Sequence, residues 1–372
     1  MRCLHLAAAF TVYATSLATA GMAASSLAPE PGRVAEIAKM LPESATGVGS
    51  PISDRAAWES VASQPEFRTV LAGAEQLLKT PMPEMTDEAY LDFSKTGNRT
   101  RGQQVIGQRR SRLNTLVLAE CLENQGRFLS AIEETIRSLC AEKAWCLPAH
   151  DRSLRNFRGE VCEIDLVVAG LSWNLATTHY WLGERLSPEV RTLVLTELQR
   201  RTFTPYESSI STGEPRMWWI TGTSNWNAVC AAGVAGAALA AIESSDRRAF
   251  FLAAAEKNLA HFLRGFTDDG YCSEGISYWN YGFGHYVLLA ETSHQATGGQ
   301  MDLLAGPKIR DIALFGPRME IVPGVYPAFA DCSPSARPAA SIVAYLNRRL
   351  GLGLTPAGEE PALPKASPRD SL

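Results

Sequence analysis

The sequence lacks the features that mark several common classes of protein. It has no Cys-x-x-Cys pair and no histidine-cysteine cluster with the spacing of a zinc site. Its 35 basic and 39 acidic residues give a formal net charge of −4, so no overall positive charge recruits nucleic acid. Beyond the N-terminus, no apolar run is long enough to cross a bilayer. We therefore expect no metal, no cofactor, no nucleic-acid partner and no transmembrane helix in the mature chain.

Strand-like alternation is also absent. Between Trp58 and Ile312 no segment alternates apolar and polar residues over a useful length, and helical patterns follow one another. Asp246–Gly265 is the clearest predicted helix, because its apolar residues recur at steps of three and four. Ile164–Gly183 and Ser187–Thr202 form one predicted helical pair. This succession predicts an all-α chain of helical hairpins arranged as an α/α toroid, which is an incomplete α/α barrel.

The first residues have the layout of a secretory signal peptide. Arg2 precedes an apolar run that reaches Ala20, and small residues offer cleavage sites after Ala20 or Ala23. The run is short for a membrane span, so an uncleaved anchor is the weaker alternative. We expect residues 1–23 to be removed and the mature protein to be periplasmic or secreted, with no membrane association after cleavage.

The rest of the chain divides by composition. Residues 24–57 are rich in proline, glycine, serine and alanine and predict a linker with one short helix around Val34–Leu41. Residues 58–340 carry the helical patterns and form the predicted toroid domain. Residues 341–372 predict a short helix and then a disordered tail, since their proline, glutamate, serine and alanine cannot build a core.

Removal of the signal peptide leaves an odd number of cysteines, so at least one thiol stays free unless two chains are cross-linked. Most of these cysteines lie in helical patterns, where cysteine serves as a small apolar residue. One disulfide is compatible with export, and Cys140 with Cys146 or Cys230 with Cys272 are the candidate pairs.

Arg216–Cys230 is an unusual stretch that reads Arg-Met-Trp-Trp-Ile-Thr-Gly-Thr-Ser-Asn-Trp-Asn-Ala-Val-Cys. Gly222 interrupts the helical pattern, and Ser224 or Asn225 caps the next helix, which places amide side chains at a helix N-terminus. The free N–H groups there suit an anion such as a carboxylate. The alternative is that Asn225 and Asn227 only cap and brace the helix while the tryptophans fill the core.

A second stretch, Asp268–Gly282, follows some fifty positions later and reads Asp-Asp-Gly-Tyr-Cys-Ser-Glu-Gly-Ile-Ser-Tyr-Trp-Asn-Tyr-Gly. With both stretches in this order and at this separation, the chain resembles the heparinase II/III-like polysaccharide lyases and their alginate-lyase relatives. Tyr326-Pro-Ala-Phe-Ala-Asp331 fits the family as well. The resemblance implies an α/α toroid followed by an antiparallel β-sandwich, with the polysaccharide bound between them. Because 372 residues leave room for the toroid only, we expect a single-domain relative, a truncated product or an inactive remnant without the sandwich.

The resemblance implies β-elimination on a uronic-acid polysaccharide such as alginate or a heparin-like glycan. The site must remove the proton α to a sugar carboxylate, neutralise that carboxylate and protonate the leaving oxygen. Asn225 and Asn227 are the candidates for neutralising the carboxylate, with Arg216 as an assistant. Tyr278 stands where the family places its catalytic tyrosine and is the candidate acid, with a second role as base left open. A buried aromatic with a structural hydroxyl is the alternative for Tyr278, and Tyr281 is a weaker substitute.

Histidine is the point at which the chain departs from the family pattern. Active relatives carry a histidine in or beside the asparagine motif, whereas Trp226 stands between the asparagines here. The family's other histidine belongs to the β-sandwich. His285 is therefore the candidate base, with a structural histidine as its alternative, and His150 and His179 are weaker candidates.

Aromatic and charged side chains complete the predicted site. The candidates for stacking on sugar rings, with a core role as the alternative for the last two, are Trp218, Trp219, Trp226 and Trp279. Tyr281 and Glu274 are further candidates for substrate binding. A basic run predicts either an entrance for a polyanion or a solvated face, and it comprises Arg99, Arg101, Arg109, Arg110 and Arg112.

Two other functions compete with a lyase. An α/α-barrel glycoside hydrolase would use a pair of carboxylates, for which the candidates are Glu163, Asp165, Asp268, Asp269 and Glu274. A toroid that has lost its chemistry would bind acidic polysaccharides without turnover. The departure at Trp226 and the expected absence of the β-sandwich favour this binding-only alternative.

Overall fold

The computed structural model describes residues 27–354. All regular elements among these residues are helices, and the extended pairings there are isolated bridges of Phe266 with Cys272 and of Val322 with Val325. The predicted signal peptide and most of the predicted tail lie outside the described residues. The α-helices are α1 (Pro31–Met40), α2 (Arg55–Ala62), α3 (Val70–Lys79), α4 (Asp87–Thr96), α5 (Thr100–Glu123), α6 (Leu129–Cys140), α7 (Leu166–Leu182), α8 (Pro188–Leu198), α9 (Thr204–Thr212), α10 (Asn225–Ala241), α11 (Ser245–Arg264), α12 (Gly275–Tyr278), α13 (Gly284–Ala296), α14 (Ile309–Arg318) and α15 (Ala340–Leu350).

Shorter helical segments connect several of these helices. π-helical residues Gln199–Phe203 join α8 to α9, and Trp279–Phe283 join α12 to α13, so each of these pairs is continuous. The 3₁₀-helical turns are Pro65–Phe67, Gly183–Arg185, Trp218–Thr221 and Leu303–Ala305.

Helix α10 is the central helix, because its surface consists almost entirely of small apolar residues. It packs against α7, α11 and α13. A Cβ at Gly233 would lie 2.6 Å from the carbonyl of Ala169, and one at Gly236 would lie 2.2 Å from the ring of Trp173. Glycine at these positions therefore lets α7 and α10 cross closely.

Successive helices pack side by side as hairpins. Helix α5 packs against α6, α7 against α8, and α10 against α11. Large clusters of buried apolar side chains fill the space between the hairpins. The arrangement confirms the predicted all-α fold, an α/α toroid of helical hairpins, for the part of the chain that the structure describes.

The segments that flank the predicted toroid domain pack on it. Helix α1 lies against α11, and Ile37 is fully buried there. Arg33 donates to both carboxylate oxygens of Glu256 on α11, at 2.8 and 2.7 Å. Helix α15 shares a buried core with α14 and contributes Leu346 to it. Composition predicts a linker over residues 24–57. The described part of this segment is instead packed on the toroid, because α1 makes apolar and charged contacts with α11.

None of the helices between residues 27 and 354 combines the length and the apolar composition that a bilayer span requires. The cysteines in this range carry no disulfide, so neither candidate pair is formed. Burial raises the pKa of Cys272 to about 11, which keeps this thiol protonated near neutral pH.

Candidate functional site

The two sequence motifs meet through Asn225 and Glu274. The carboxylate of Glu274 accepts the backbone N–H of Asn225 at 2.8 Å and its side-chain Nδ2 at 2.7 Å. Ser224 occupies the N-cap position of α10 without a side-chain cap bond, so the Glu274 carboxylate does the work of a cap. A Cβ at Gly282 would lie 2.8 Å from the Cβ of Asn225, which shows how closely the second motif approaches the first. Asn225 is buried and joins the two motifs.

Asn227 lies in the interior. Its Nδ2 contacts the carbonyl oxygens of Trp219, Ile220 and Asn258, at 3.1, 2.7 and 3.1 Å. The side chain is fully buried and ties the turn Trp218–Thr221 and helix α11 to α10. Asn227 has no surface on which a sugar carboxylate can bind in this conformation.

The candidate tryptophans divide into core and surface. Trp219 and Trp279 are buried, and their Nε1 atoms donate to the carbonyls of Ile164 at 2.7 Å and Ile312 at 2.8 Å. Trp218 is 54% exposed and contacts the half-buried ring of Trp226, with centroids 4.9 Å apart. Only the second pair offers ring surface to a ligand. Trp219 and Trp279 thus adopt the core role, which the sequence analysis had kept as an alternative to stacking on sugar rings.

Tyr278 is half-buried at the end of α12, near Asp331. Burial raises the pKa of this hydroxyl, the negative charges of Asp331 and Glu274 raise it further, and the positive charge of Arg99 opposes them. The phenol therefore keeps its proton at neutral pH. Such a group can donate a proton, but it is a poor base in this state.

The loop between α14 and α15 places Asp331 beside Tyr278. Phe329 stacks on Tyr271 with ring centroids 5.8 Å apart, and the hydroxyl of Ser277 donates to the Sγ of Cys332 at 3.4 Å. A Cβ at Gly275, which has a φ of +82°, would lie 2.8 Å from the carbonyl oxygen of Phe329. Glycine is needed there both for its left-handed conformation and for the close approach. The loop is therefore packed directly against the helix that carries Tyr278.

Tyr281 and His285 form a second pair in the same motif. The Nδ1 of His285 lies 2.6 Å from the backbone oxygen of Tyr281, and the two rings meet edge to face at 4.9 Å. Because a carbonyl only accepts, Nδ1 of His285 carries a proton. The hydroxyl of Tyr281 is buried without a hydrogen-bond partner in the described structure. Burial raises the pKa of Tyr281, and the negative charge of Asp165 acts in the same direction.

His150 and Asp165 are brought together in a way that the sequence did not reveal. The Nδ1 of His150 lies 2.7 Å from Oδ2 of Asp165, and the imidazole contacts the ring of Trp226, with centroids 4.7 Å apart. Asp165 is also the N-cap of α7, where it accepts from the backbone of Val167 and Val168. The available sequence signal was the cap position of Asp165, but fifteen residues of loop separate it from His150.

The basic run is mostly interior. Arg109, Arg110 and Arg112 are buried, and each donates to backbone carbonyls of neighbouring segments. Arg101 is exposed and pairs with Glu88. Arg99 is exposed, and its positive charge lowers the pKa of Tyr278. Arg216 is exposed two residues before Trp218.

The carboxylates considered for hydrolysis have structural partners. Glu274 caps α10, and Asp165 caps α7. Asp268 pairs with Lys308 at 3.0 Å, and Asp269 holds the turn before Tyr271. These contacts favour turns and caps over a hydrolytic pair.

No group of histidine, cysteine and carboxylate side chains within residues 27–354 has a geometry that could hold a metal ion. A cavity of about 130 Å³ lies beside Glu274, lined by residues of α10, α11 and the loop before α12. This volume accommodates only a few waters and does not include Tyr278.

Known proteins resemble this chain in structure. No protein-family model and no curated protein matches the sequence. Among solved structures, the chain is similar to an alginate lyase from Bacteroides ovatus, with a TM-score of 0.50 and 12% sequence identity. What the two share is the fold. The match covers 89% of this chain and 92% of the alginate lyase chain, so it extends over nearly all of both.

Proposed function

We propose that the protein is a polysaccharide lyase that cleaves a uronic-acid-containing polysaccharide, such as alginate or a heparin-like glycan, by β-elimination. The supporting observation is the packing of the loop that carries Asp331 against the helix that carries Tyr278, where Ser277 donates to Cys332 at 3.4 Å. Burial and the charges of Asp331 and Glu274 raise the pKa of the Tyr278 hydroxyl, so it stays protonated at neutral pH. The similar fold of an alginate lyase supports the same class of reaction. A relationship to the heparinase II/III-like lyases and a periplasmic or secreted location are parts of this proposal.

Neutralisation of the substrate carboxylate is assigned to exposed cations. Arg99 and Arg216 are both exposed, and the structure gives neither a carboxylate partner among residues 27–354. The amide N–H groups of Asn225 and Asn227 are already engaged inside the protein. An arginine near Tyr278 lowers the cost of the charge that develops on the carboxylate as the α proton leaves. The asparagines then act by holding the site together.

Protonation of the leaving oxygen is assigned to Tyr278. Its raised pKa keeps the proton available at neutral pH. A positioned acid of this kind contributes roughly 10²-fold to 10⁴-fold to a rate. Trp218, which exposes its ring, supplies a stacking surface for a pyranose.

The proposal is tested by incubating the mature protein with a panel of uronate polysaccharides and recording the ultraviolet absorbance of the unsaturated product. Tyr278→Phe removes the acidic hydroxyl and keeps the ring, so we expect a loss of about 10²-fold or more in kcat. Tyr180→Phe is the matched control, since Tyr180 lies on α7 and only burial raises its pKa.

Retention of full activity in Tyr278→Phe would show that another group protonates the leaving oxygen. Absence of product from the wild-type protein on every polymer would reject the lyase. Binding of the same polymers in that case, weakened by Trp218→Ala, would establish the binding-only toroid, for which the exposed Trp218 ring is the favourable observation.

A further inference from the structure

Three aromatic rings form a patch that does not include the acidic and amide side chains of the two sequence motifs. It consists of His150, Trp226 and Trp218, which contact one another in that order at centroid distances of 4.7 and 4.9 Å. We call it the aromatic patch. Its members come from three separate segments: the loop before α7, the first turn of α10 and the turn Trp218–Thr221.

The imidazole of the aromatic patch is held by a buried carboxylate. Asp165 is 4% exposed, and its Oδ2 contacts Nδ1 of His150 at 2.7 Å and the backbone N–H of Leu147 at 2.9 Å. Its Oδ1 accepts from Val167 and Val168 at 3.0 and 2.8 Å. A carboxylate with this many N–H donors is fixed in place, so it also fixes the ring of His150.

The loop that carries His150 is fastened to its surroundings on both sides of Asp165. Buried Arg110 donates to the carbonyl oxygens of Trp145 at 2.8 Å and of Val167 at 3.1 Å. Trp219 donates from Nε1 to the carbonyl of Ile164 at 2.7 Å, which links the loop to the turn that exposes Trp218. The aromatic patch is therefore pre-organised, with little side-chain freedom left to lose on binding a ligand.

The contact with Asp165 decides the tautomer of His150. An ionised carboxylate only accepts, so Nδ1 of His150 is the protonated nitrogen of the neutral ring, and Nε2 has a lone pair. The side chain is 19% exposed, so solvent or a ligand can reach it. A fixed, partly exposed imidazole with a carboxylate behind it has the arrangement of a general base.

The aromatic patch adjoins the motif that carries Tyr278. Trp226 of the patch follows Asn225, whose side-chain Nδ2 donates to Glu274 at 2.7 Å. The patch and the motif of Tyr278 therefore meet at the N-terminus of α10, although 128 positions separate His150 from Tyr278 in the sequence.

We propose that His150, positioned by Asp165, is the general base of the elimination and that the aromatic patch binds the uronate ring from which it takes the proton. This inference rests on the proposed lyase function. Nε2 of His150 takes the proton α to the carboxylate, and the electron pair of that C–H bond forms the new C=C bond. The bond from the β carbon to the glycosidic oxygen breaks, and this oxygen takes the proton of Tyr278. Proton exchange with water then restores both side chains, so no oxidant or other co-reactant is consumed.

The base is tested first by activity. His150→Gln removes the basic nitrogen, and we expect kcat to fall about 10²-fold or more with a KM changed less than about threefold. Imidazole added to His150→Ala restores part of the rate if the cavity admits it. His261→Gln is the matched control, because His261 is a partly exposed histidine near the end of α11, outside the site.

A second measurement follows the histidine without turnover. In ¹⁵N-labelled wild-type protein we expect the His150 signals of an Nδ1–H tautomer, and Asp165→Asn changes them while the far-ultraviolet circular dichroism stays the same. Alginate oligosaccharides added to the Tyr278→Phe variant, in which turnover is suppressed, should shift the His150 resonances and quench tryptophan fluorescence, and Trp218→Ala in the same background should weaken both effects.

The possible outcomes test the role of His150 as the general base separately from the lyase activity of the protein. If the wild-type protein forms product and the kcat of His150→Gln is within about threefold of the wild-type value, His150 is not the base. The proposed lyase function is then retained. A wild-type protein inactive on every polymer would overturn both. An active wild-type protein, an inactive His150→Gln and an Nδ1–H tautomer together support the base.

Discussion

At the scale of the residue, the charges around the hydroxyl of Tyr278 can be changed one at a time to test its role as an acid. Asp331 and Glu274 raise the pKa of Tyr278, and Arg99 lowers it. Asp331→Asn removes a negative charge and keeps an oxygen that accepts a hydrogen bond, so the pKa of Tyr278 should fall. Because an acid works only while it is protonated, the basic limb of the pH profile of kcat/KM should move to lower pH.

Arg99→Gln is the opposite perturbation. It removes the positive charge that lowers the pKa of Tyr278, so the basic limb should move to higher pH, and KM for a uronate polymer should rise. An ultraviolet titration of the tyrosinate in both variants checks the shift without turnover. Equal pH profiles for the wild-type protein and the two variants would mean that Tyr278 does not titrate in the reaction.

At the residue scale, the sequence predicted which segments meet. It predicted less well what each side chain does at the place where they meet. The pairing of the two motifs was foreseen, and Asn225 and Glu274 realise it directly. The neighbours Trp218 and Trp219 could not be told apart, since one hydrogen bond to Ile164 decides which ring is buried. His150 was underrated because its partner Asp165 is supplied by the path of a loop, which leaves no periodic pattern.

At the scale of the element, the crossing of α7 and α10 depends on glycine. Gly236→Ala adds a Cβ 2.2 Å from the ring of Trp173, which must move. The gain in helix propensity, about 1 kcal/mol, is smaller than the usual cost of overpacking, about 1–3 kcal/mol. We therefore expect Gly236→Ala to lower the free energy of unfolding by up to about 2 kcal/mol, measured by urea denaturation followed by circular dichroism.

Gly170→Ala on α7 is the matched control. Nothing lies within 4 Å of a Cβ at this position, so only the propensity gain remains. We expect it to stabilise the protein by about 0.5–1 kcal/mol. If both substitutions stabilised the protein equally, the close crossing of the two helices would not exist in solution.

Helices with a regular apolar face were predicted to within one or two residues, and helices held by polar contacts were not. The prediction of Asp246–Gly265 compares with α11 at Ser245–Arg264. Helix α5, Thr100–Glu123, has no such regular face, because the arginines on its inward side are buried and bond to backbone carbonyls. Helix α14 was not predicted at all.

At the scale of the whole molecule, buried charge ties the N-terminal segment to the toroid. Arg248 on α11 is fully buried, and its guanidinium donates to the carbonyl oxygens of Pro42, Glu43 and Ser44 at 2.5 to 2.9 Å. Burial lowers the pKa of Arg248, so the charged form depends on these acceptors. The amino-acid composition predicted a linker over this segment. Composition does not reveal that backbone carbonyl groups of the segment accept hydrogen bonds from Arg248.

Arg248→Met tests whether this segment belongs to the folding unit. The substitution keeps most of the apolar volume but leaves several carbonyl groups without their donor, which should lower the free energy of unfolding by about 1–3 kcal/mol. Arg33→Met is the comparison, since its partly exposed ion pair with Glu256 is worth roughly 0–1 kcal/mol. Both are measured by urea denaturation. If the two variants lost equal and small amounts of stability, the segment would be a separable linker. A larger loss in Arg248→Met alone, with a single cooperative transition, would make residues 27–54 part of the toroid and explain why its central helices need them.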